Sequence, residues 1–192
     1  MKKSFFTLTL IAFCAYGALA QGISGGLKAG VNFANQKWSG GGFSASADAR
    51  TGFHAGGYLN IGFSENFAVQ PELIYNAVGA KFGDVKWNTD YLSIPVMLKY
   101  SPAPIFNIHA GPQFGLLLSA KQDDVDVKDG MKGMDLGLGF GAGVDLPMGL
   151  GITARYVMGL SNISEEADDI EDVSVKNTAF QISVSYKLFG GD

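Results

Sequence analysis

Cysteine is nearly missing from this chain: among 192 residues the single Cys14 lies in an apolar stretch near the N-terminus. The residues before it, Ile11, Ala12 and Phe13, lack the small side chain that lipoprotein processing needs just ahead of its cysteine. Beyond Ala20 there is no thiol, which excludes disulfides and thiolate metal sites and leaves packing and backbone pairing to stabilise the fold. Long apolar runs are missing too. After Ala20 no uninterrupted run reaches the roughly 18 residues of a membrane-spanning helix. Positive charge is scarce: setting Lys2 and Lys3 aside leaves 12 basic against 18 acidic residues, a formal charge of −6 that argues against nucleic-acid binding.

What is present begins with a three-part N-terminus. Lys2 and Lys3 precede an apolar stretch from Phe5 to Ala15, and Ala18-Leu19-Ala20 stands before Gln21. This is the pattern of a cleavable secretory signal, so residues 1–20 are expected to be removed and residues 21–192 to form one domain. Glycine is the second signal. There are 27, about twice the usual share, and they fall inside apolar patterns instead of in a linker.

Strict alternation of apolar and polar residues runs through most of the chain, as in FQISVSYKLF from Phe180 to Phe189. A period of two marks strands with one apolar and one polar face. Eight strands are predicted: Gly26 to Phe33, Thr51 to Phe63, Phe67 to Phe82, Asp90 to Ser101, Ile105 to Ala120, Met134 to Leu146, Leu150 to Leu160 and Asn177 to Leu188. Most match or exceed the roughly 9–11 residues with which a tilted strand crosses a bilayer. Their connections alternate in kind. Ser64-Glu65-Asn66, Pro102-Ala103-Pro104 and Pro147-Met148-Gly149 are tight turns, whereas Ala34 to Arg50, Gly83 to Thr89, Lys121 to Gly133 and Ser161 to Lys176 are longer and polar. Short turns at one rim and long loops at the other predict an all-β fold, an eight-stranded antiparallel up-and-down transmembrane β-barrel.

One face of these strands carries Leu27, Val31, Phe33, Leu73, Leu92, Ile94, Leu98, Leu136, Leu138 and Phe140, and hardly a charge. The other carries Asn32, His54, Asn60, Gln70, Asn76, Asn107, His109, Gln113, Gln181 and a candidate lumen charge network of Lys28, Glu72, Lys99, Asp135, Asp145, Arg155 and Lys187. A soluble barrel would turn the polar face outward. Three features favour the inverted arrangement. Gly137, Gly139, Gly141 and Gly143 lie on the polar face and suit a narrow, crowded lumen. The aromatics Phe63, Phe67, Tyr100, Phe106 and Tyr186 gather beside the short turns like an interfacial girdle. The secretory signal delivers the chain next to an outer membrane. Glu72 in the third strand and Arg155 in the seventh lie on opposite sides of a ring of eight, so they are expected to pair across the lumen; the alternative is that shear offsets them toward Lys28 or Asp145.

Signals for catalysis or cofactors are weak. The run GLGFGAG has glycine at every second residue of a strand, with no helix to receive a pyrophosphate. His54 and His109 are expected near opposite rims, which suits hydrogen bonding in the lumen better than an acid–base pair. Asp124, Asp126 and Asp129 resemble part of a calcium loop, but Lys128 stands where a ligand belongs and the downstream Glu is missing. No catalytic, cofactor or metal site is therefore expected. The stretches QDDVDVKDG and SEEADDIEDV hold ten of the eighteen carboxylates, and both fall in outer loops.

The segments QPELIY, SIPVMLKY and ARYVMGL, in that order within a series running from LKAGVNFA to FQISVSYKLF, resemble the outer-membrane β-barrel family of Bacteroidetes that includes PorT-like proteins. The resemblance covers nearly all of the chain after Ala20. It implies a cell outer-membrane location, a PorT-like link to protein secretion for some members, and no catalytic residues. The expected function is a non-enzymatic barrel with a side-chain-filled lumen, in contact with outer-membrane lipid and lipopolysaccharide, whose outer loops meet other envelope or secretion proteins. The alternatives are a passive small-solute pore and a soluble periplasmic carrier of an apolar ligand. Eight strands enclose room only for side chains, which counts against the pore.

Overall fold

The computed structural model describes residues 22–190 apart from 41–42, 47, 83–84, 123–124, 129–131 and 162–173. Eight long strands form it: β1 (Ile23–Gly40), β2 (Asp48–Gly62), β3 (Phe67–Phe82), β4 (Val85–Ala103), β5 (Phe106–Gln122), β6 (Met134–Asp145), β7 (Leu150–Gly159) and β8 (Ser174–Phe189). Each pairs antiparallel with the next, and β8 returns to β1 in a ladder from Gly25 opposite Phe189 to Ser39 opposite Ser174. The sheet is closed. Two short strands, Phe43–Ser46 and Val125–Asp126, add to the rim where the long connections lie.

The alternation in sequence becomes a division between outside and inside. Leu27, Phe53, Leu73, Leu98, Phe140 and Val184 are exposed on the outer wall, while Lys28, Asn32, His54, Glu72, Asn76, Arg155 and Gln181 are buried. That is the reverse of a soluble sandwich, and it is the arrangement that lipid demands. In a bilayer every backbone group must find its partner within the protein, which a closed ladder supplies, and the side chains facing hydrocarbon must be apolar.

Three tight connections lie at one rim. Phe63 N–H donates to Phe67 C=O across the β2–β3 turn at 3.1 Å, and Leu146 N–H donates to Leu150 C=O at 2.6 Å across the β6–β7 turn. Met148 and Gly149 take positive φ there, 67° and 84°, which reverses the chain in a single 3₁₀ turn. The aromatic girdle beside these turns is exposed as expected, and Phe67 stacks on Tyr100 with centroids 4.8 Å apart.

The strands run further toward the long-loop rim than alternation predicts. Residues Ala34 to Gly40 continue β1, and residues Val85 to Thr89, expected in a loop, belong to β4 and pair with Val78 to Phe82. There the segments are rich in Gly, Ser, Lys and Asn, so no contrast between faces betrays the strand. Ladder pairing defines the element there. The interior is not uniformly polar either. In its outer half Tyr91, Leu117 and Ala120 form a small apolar cluster with Val78 and Val127.

The wall carries a direct test of the face assignment. Ile94→Arg puts a charge on the lipid side and should reduce stability by about 2–4 kcal/mol, whereas Ser185→Arg, directed into the lumen, should cost clearly less. Equilibrium unfolding from lipid vesicles measures both, and equal losses would contradict the assignment.

The candidate functional site in the barrel lumen

Four residues from alternate strands meet near the middle of the lumen: Lys28 of β1, Glu72 of β3, His109 of β5 and Arg155 of β7. Alternation turns each inward, and in a ring of eight these strands stand a quarter-turn apart, so long side chains converge on the axis. Arg155 grips Glu72 with both arms, Nη1 to Oε2 at 2.9 Å and Nη2 to Oε1 at 2.7 Å. Lys28 Nζ donates to Oε1 at 3.0 Å, and Gln70 Nε2 donates to the same oxygen at 2.7 Å. The side chain of Glu72 is 0 % exposed, and those of Lys28 and Arg155 only 4 % and 3 %. Charges so enclosed are stable only when paired and hydrogen-bonded, and the two-armed geometry of a guanidinium on a carboxylate is the strongest such pairing.

Sequence reasoning posed Arg155 and Lys28 as alternative partners of Glu72, and the structure joins both to it. The shear of the barrel brings β1 level with β3 and β7, an offset that no local pattern encodes. From this centre hydrogen bonds continue toward the short-turn rim. Arg155 Nε–H donates to His109 Nε2 at 3.3 Å, His109 Nδ1–H donates to Asn107 Oδ1 at 3.2 Å, and Asn107 Nδ2 donates to Asp145 Oδ2 at 3.0 Å. These partners fix the His109 tautomer with its proton on Nδ1. Lys99 meets the same Asp145 oxygen at 2.8 Å.

A neutral layer packs above the charges. Asn32 Nδ2 donates to Asn76 Oδ1 at 2.7 Å, His54 Nδ1–H donates to Asn32 Oδ1 at 2.7 Å, and Ser183 O–H donates to His54 Nε2 at 2.8 Å. Gln181 Nε2 donates to Asn32 Oδ1 at 3.1 Å. His54 therefore does not lie near the loop rim as expected: β2 begins at Asp48, earlier than alternation suggests, which sets His54 beside Glu72 and Arg155 in the packed middle. The two histidines serve separate networks and make no hydrogen bond to each other.

The seven residues of the expected charge network thus divide. Lys28, Glu72 and Arg155 form the centre, and Lys99 and Asp145 pair near the short-turn rim, where Asp145 is half exposed and not enclosed. Lys187 lines the cavity at that rim. Asp135 lies at the other end, accepting from Ser161 O–H at 2.8 Å and from Asn177 Nδ2 at 2.9 Å, and so ties together the two described ends of the β7–β8 connection. Sequence reasoning missed Met97, which is fully buried against the centre, because the run Ile94 to Leu98 is apolar on both faces.

The glycine stripe of β6 makes room for the centre. A Cβ on Gly139 would lie 2.9 Å from Met97 Cε and 3.4 Å from Arg155 Cδ. On Gly141 it would lie 2.9 Å from both His109 Nε2 and the Arg155 Cα. The absence of inward side chains from Gly137 to Gly143 is what lets Arg155 and His109 cross the lumen.

Space remains on both sides of these layers, and about 10 Å³ lies within them among Lys28, His54, Glu72 and Arg155. On the loop side a cavity of about 40 Å³ lies among Asn76, Tyr91, Gln113, Asp135 and Val157. On the short-turn side a larger one of about 590 Å³ opens beneath Lys28 and His109.

Two sets of substitutions test this centre. Glu72→Gln leaves two buried cations facing each other and should destabilise by about 3–5 kcal/mol, whereas Arg155→Met leaves Glu72 still compensated by Lys28 and should cost less. The double mutant should lose less than the sum, and strict additivity in unfolding experiments would show that the pair is not coupled. In the stripe, Gly141→Ala presses on backbone and should destabilise by about 1–3 kcal/mol, more than Gly139→Ala, which meets the movable end of Met97; the same unfolding assay ranks them, and the reverse order would contradict the packing.

Comparison with known proteins places this geometry. Residues 19–165 match the family model described as outer membrane protein beta-barrel domain. The match ends before β8, the strand that closes the ring. No curated protein matches the sequence. Among solved structures the chain resembles Ail, the attachment invasion locus protein of Yersinia pestis, at 15% identity over 88% of this chain and 99% of that one, with a TM-score of 0.53. Ail in complex with the heparin analogue sucrose octasulfate gives 14% identity, 87% and 99% coverage and a TM-score of 0.51. Neisserial surface protein A (NspA) gives 12% identity over 84% of this chain and 97% of that one, also at 0.51. At such identities the likeness concerns the fold alone. The family match, the closed eight-stranded ring and its inverted faces together identify the chain as a member of the outer membrane protein beta-barrel domain family, located in the outer membrane.

Proposed function

We propose that this protein is a non-enzymatic outer-membrane barrel whose lumen serves as a rigid, closed support and whose outer loops carry the function by binding a partner. The observation that carries this reading is the Lys28–Glu72–Arg155 centre, whose buried and mutually bonded side chains cross the lumen between its loop side and its short-turn side. It weighs against the passive pore, and the polar lumen weighs against a carrier of apolar ligands. The two acidic loop stretches set the sign of the partner. Ail is named in complex with a heparin analogue, a polyanion; loops with ten carboxylates repel polyanions and favour cationic protein surfaces, or lipopolysaccharide bridged by divalent cations. In its narrower form the reading is PorT-like, in a Bacteroidetes envelope, with the loops supporting protein secretion. Residues 1–20 are the cleaved secretory signal and 21–192 the barrel domain, an assignment that mass measurement of the mature chain decides.

The loop hypothesis rests on a segment outside the described residues, and deletion tests it. Removing residues within Ser164 to Asp172 should leave the barrel assembled, because the wall's ladder hydrogen bonds are made by other residues. The same deletion should abolish partner capture or the secretion phenotype of cells that depend on the protein. An assembled barrel with an unchanged phenotype would count against loop-mediated binding.

A further inference from the structure

The short-turn half of the lumen holds a space that the closing centre does not use. It is the cavity of about 590 Å³, bounded below by the turns at Ile105 and Met148 and above by Lys28 and His109. Its wall carries Lys28, Lys99 and Lys187 against the single carboxylate of Asp145. Arg155 and Glu72 stand just behind Lys28, and Glu65 lines an adjoining cavity at the same rim. Even with all of these counted, cations outnumber carboxylates among the described residues of this half. The surrounding wall and lipid form a low-dielectric sleeve that concentrates the resulting positive potential along the axis.

Lys28 gives the cavity a specific demand. An ammonium group has three donors. Lys28, only 5 % exposed, gives one to Glu72 Oε1, and its side chain also lines this cavity. An oxyanion in the cavity would offer the remaining donors charge-assisted acceptors, which bind more strongly than neutral ones. Lys99 is fixed on the same wall by Asp145 at 2.8 Å, with donors to spare.

We propose that this cavity is a binding site for a small oxyanion, the carboxylate or phosphate group of a periplasmic solute, held between the ammonium groups of Lys28 and Lys99. The mouth lies at the short-turn rim, which faces the periplasm in barrels of this class. The ligand enters and leaves on that side, because the centre closes the way through. The site is independent of the outer loops and stands or falls apart from partner binding there.

Calorimetric titration of the full barrel in a zwitterionic detergent at low ionic strength, with inorganic phosphate and with succinate as separate probes, tests the proposal. Saturable binding of at least one probe at one equivalent per barrel is expected, and a preference between them names the group recognised. Lys99→Gln leaves the Lys28–Glu72–Arg155 centre untouched and should weaken binding about tenfold. Raising the salt concentration should weaken wild-type binding more than that of the variant. Absence of saturable binding by either probe, or an affinity unchanged in Lys99→Gln, would overturn it.

Discussion

Lipid offers no hydrogen-bond partner to a polypeptide, and everything else in this structure follows from that. A sheet immersed in hydrocarbon must close so that no edge is left, and eight strands are joined in one ring by the β1–β8 ladder. Closure at eight strands leaves a narrow interior. Since alternate side chains must point inward, the polar residues excluded from lipid have nowhere else to go. They are buried together, and a charge among them must be neutralised within reach. Glu72 is neutralised twice, by Arg155 across the ring and by Lys28 from β1.

The same constraint explains features that look unrelated in sequence. The glycines of β6 are the space that Arg155 and His109 occupy when they cross the lumen, so a stretch without inward side chains from Gly137 to Gly143 and a strand with a very long one are two halves of one packing solution. The neutral layer of Asn32, His54, Asn76, Gln181 and Ser183 fills the next level with short side chains that satisfy one another. Above it the interior turns partly apolar at Tyr91 and Leu117, and beneath Lys28 and His109 it opens into a water-accessible vestibule. Filling is thus uneven along the axis, tightest at the level of Glu72.

Much of this was legible in the sequence, for a physical reason. A strand in a membrane wall is apolar on one side by necessity, so period-two contrast revealed the eight strands, their faces and the short turns. Where the necessity lapses, so does the signal. The outer ends of β1 and β4 carry no period-two contrast, and their mixed Gly-, Ser-, Lys- and Asn-containing segments read as loops although they pair as strands. Met97 sits in the run Ile94 to Leu98, apolar on both faces, where alternation is silent about which residue turns inward. The candidate site was legible as a set of inward charges and as the opposition of β3 and β7. The grouping was not, because it depends on the shear of the closed ring: Lys28 joins Glu72, Asp135 is drawn off to the loop rim, and Asp145 reaches the opposite one. Those are properties of closure and not of any one strand.

The account turns on the claim that paired side chains close the lumen at the level of Glu72. Conductance of the purified wild-type barrel in a planar lipid bilayer tests it most directly. A closed centre predicts a membrane that stays electrically silent after insertion, with at most brief, irregular events. Steady, ohmic single-channel steps from the wild-type protein would contradict it.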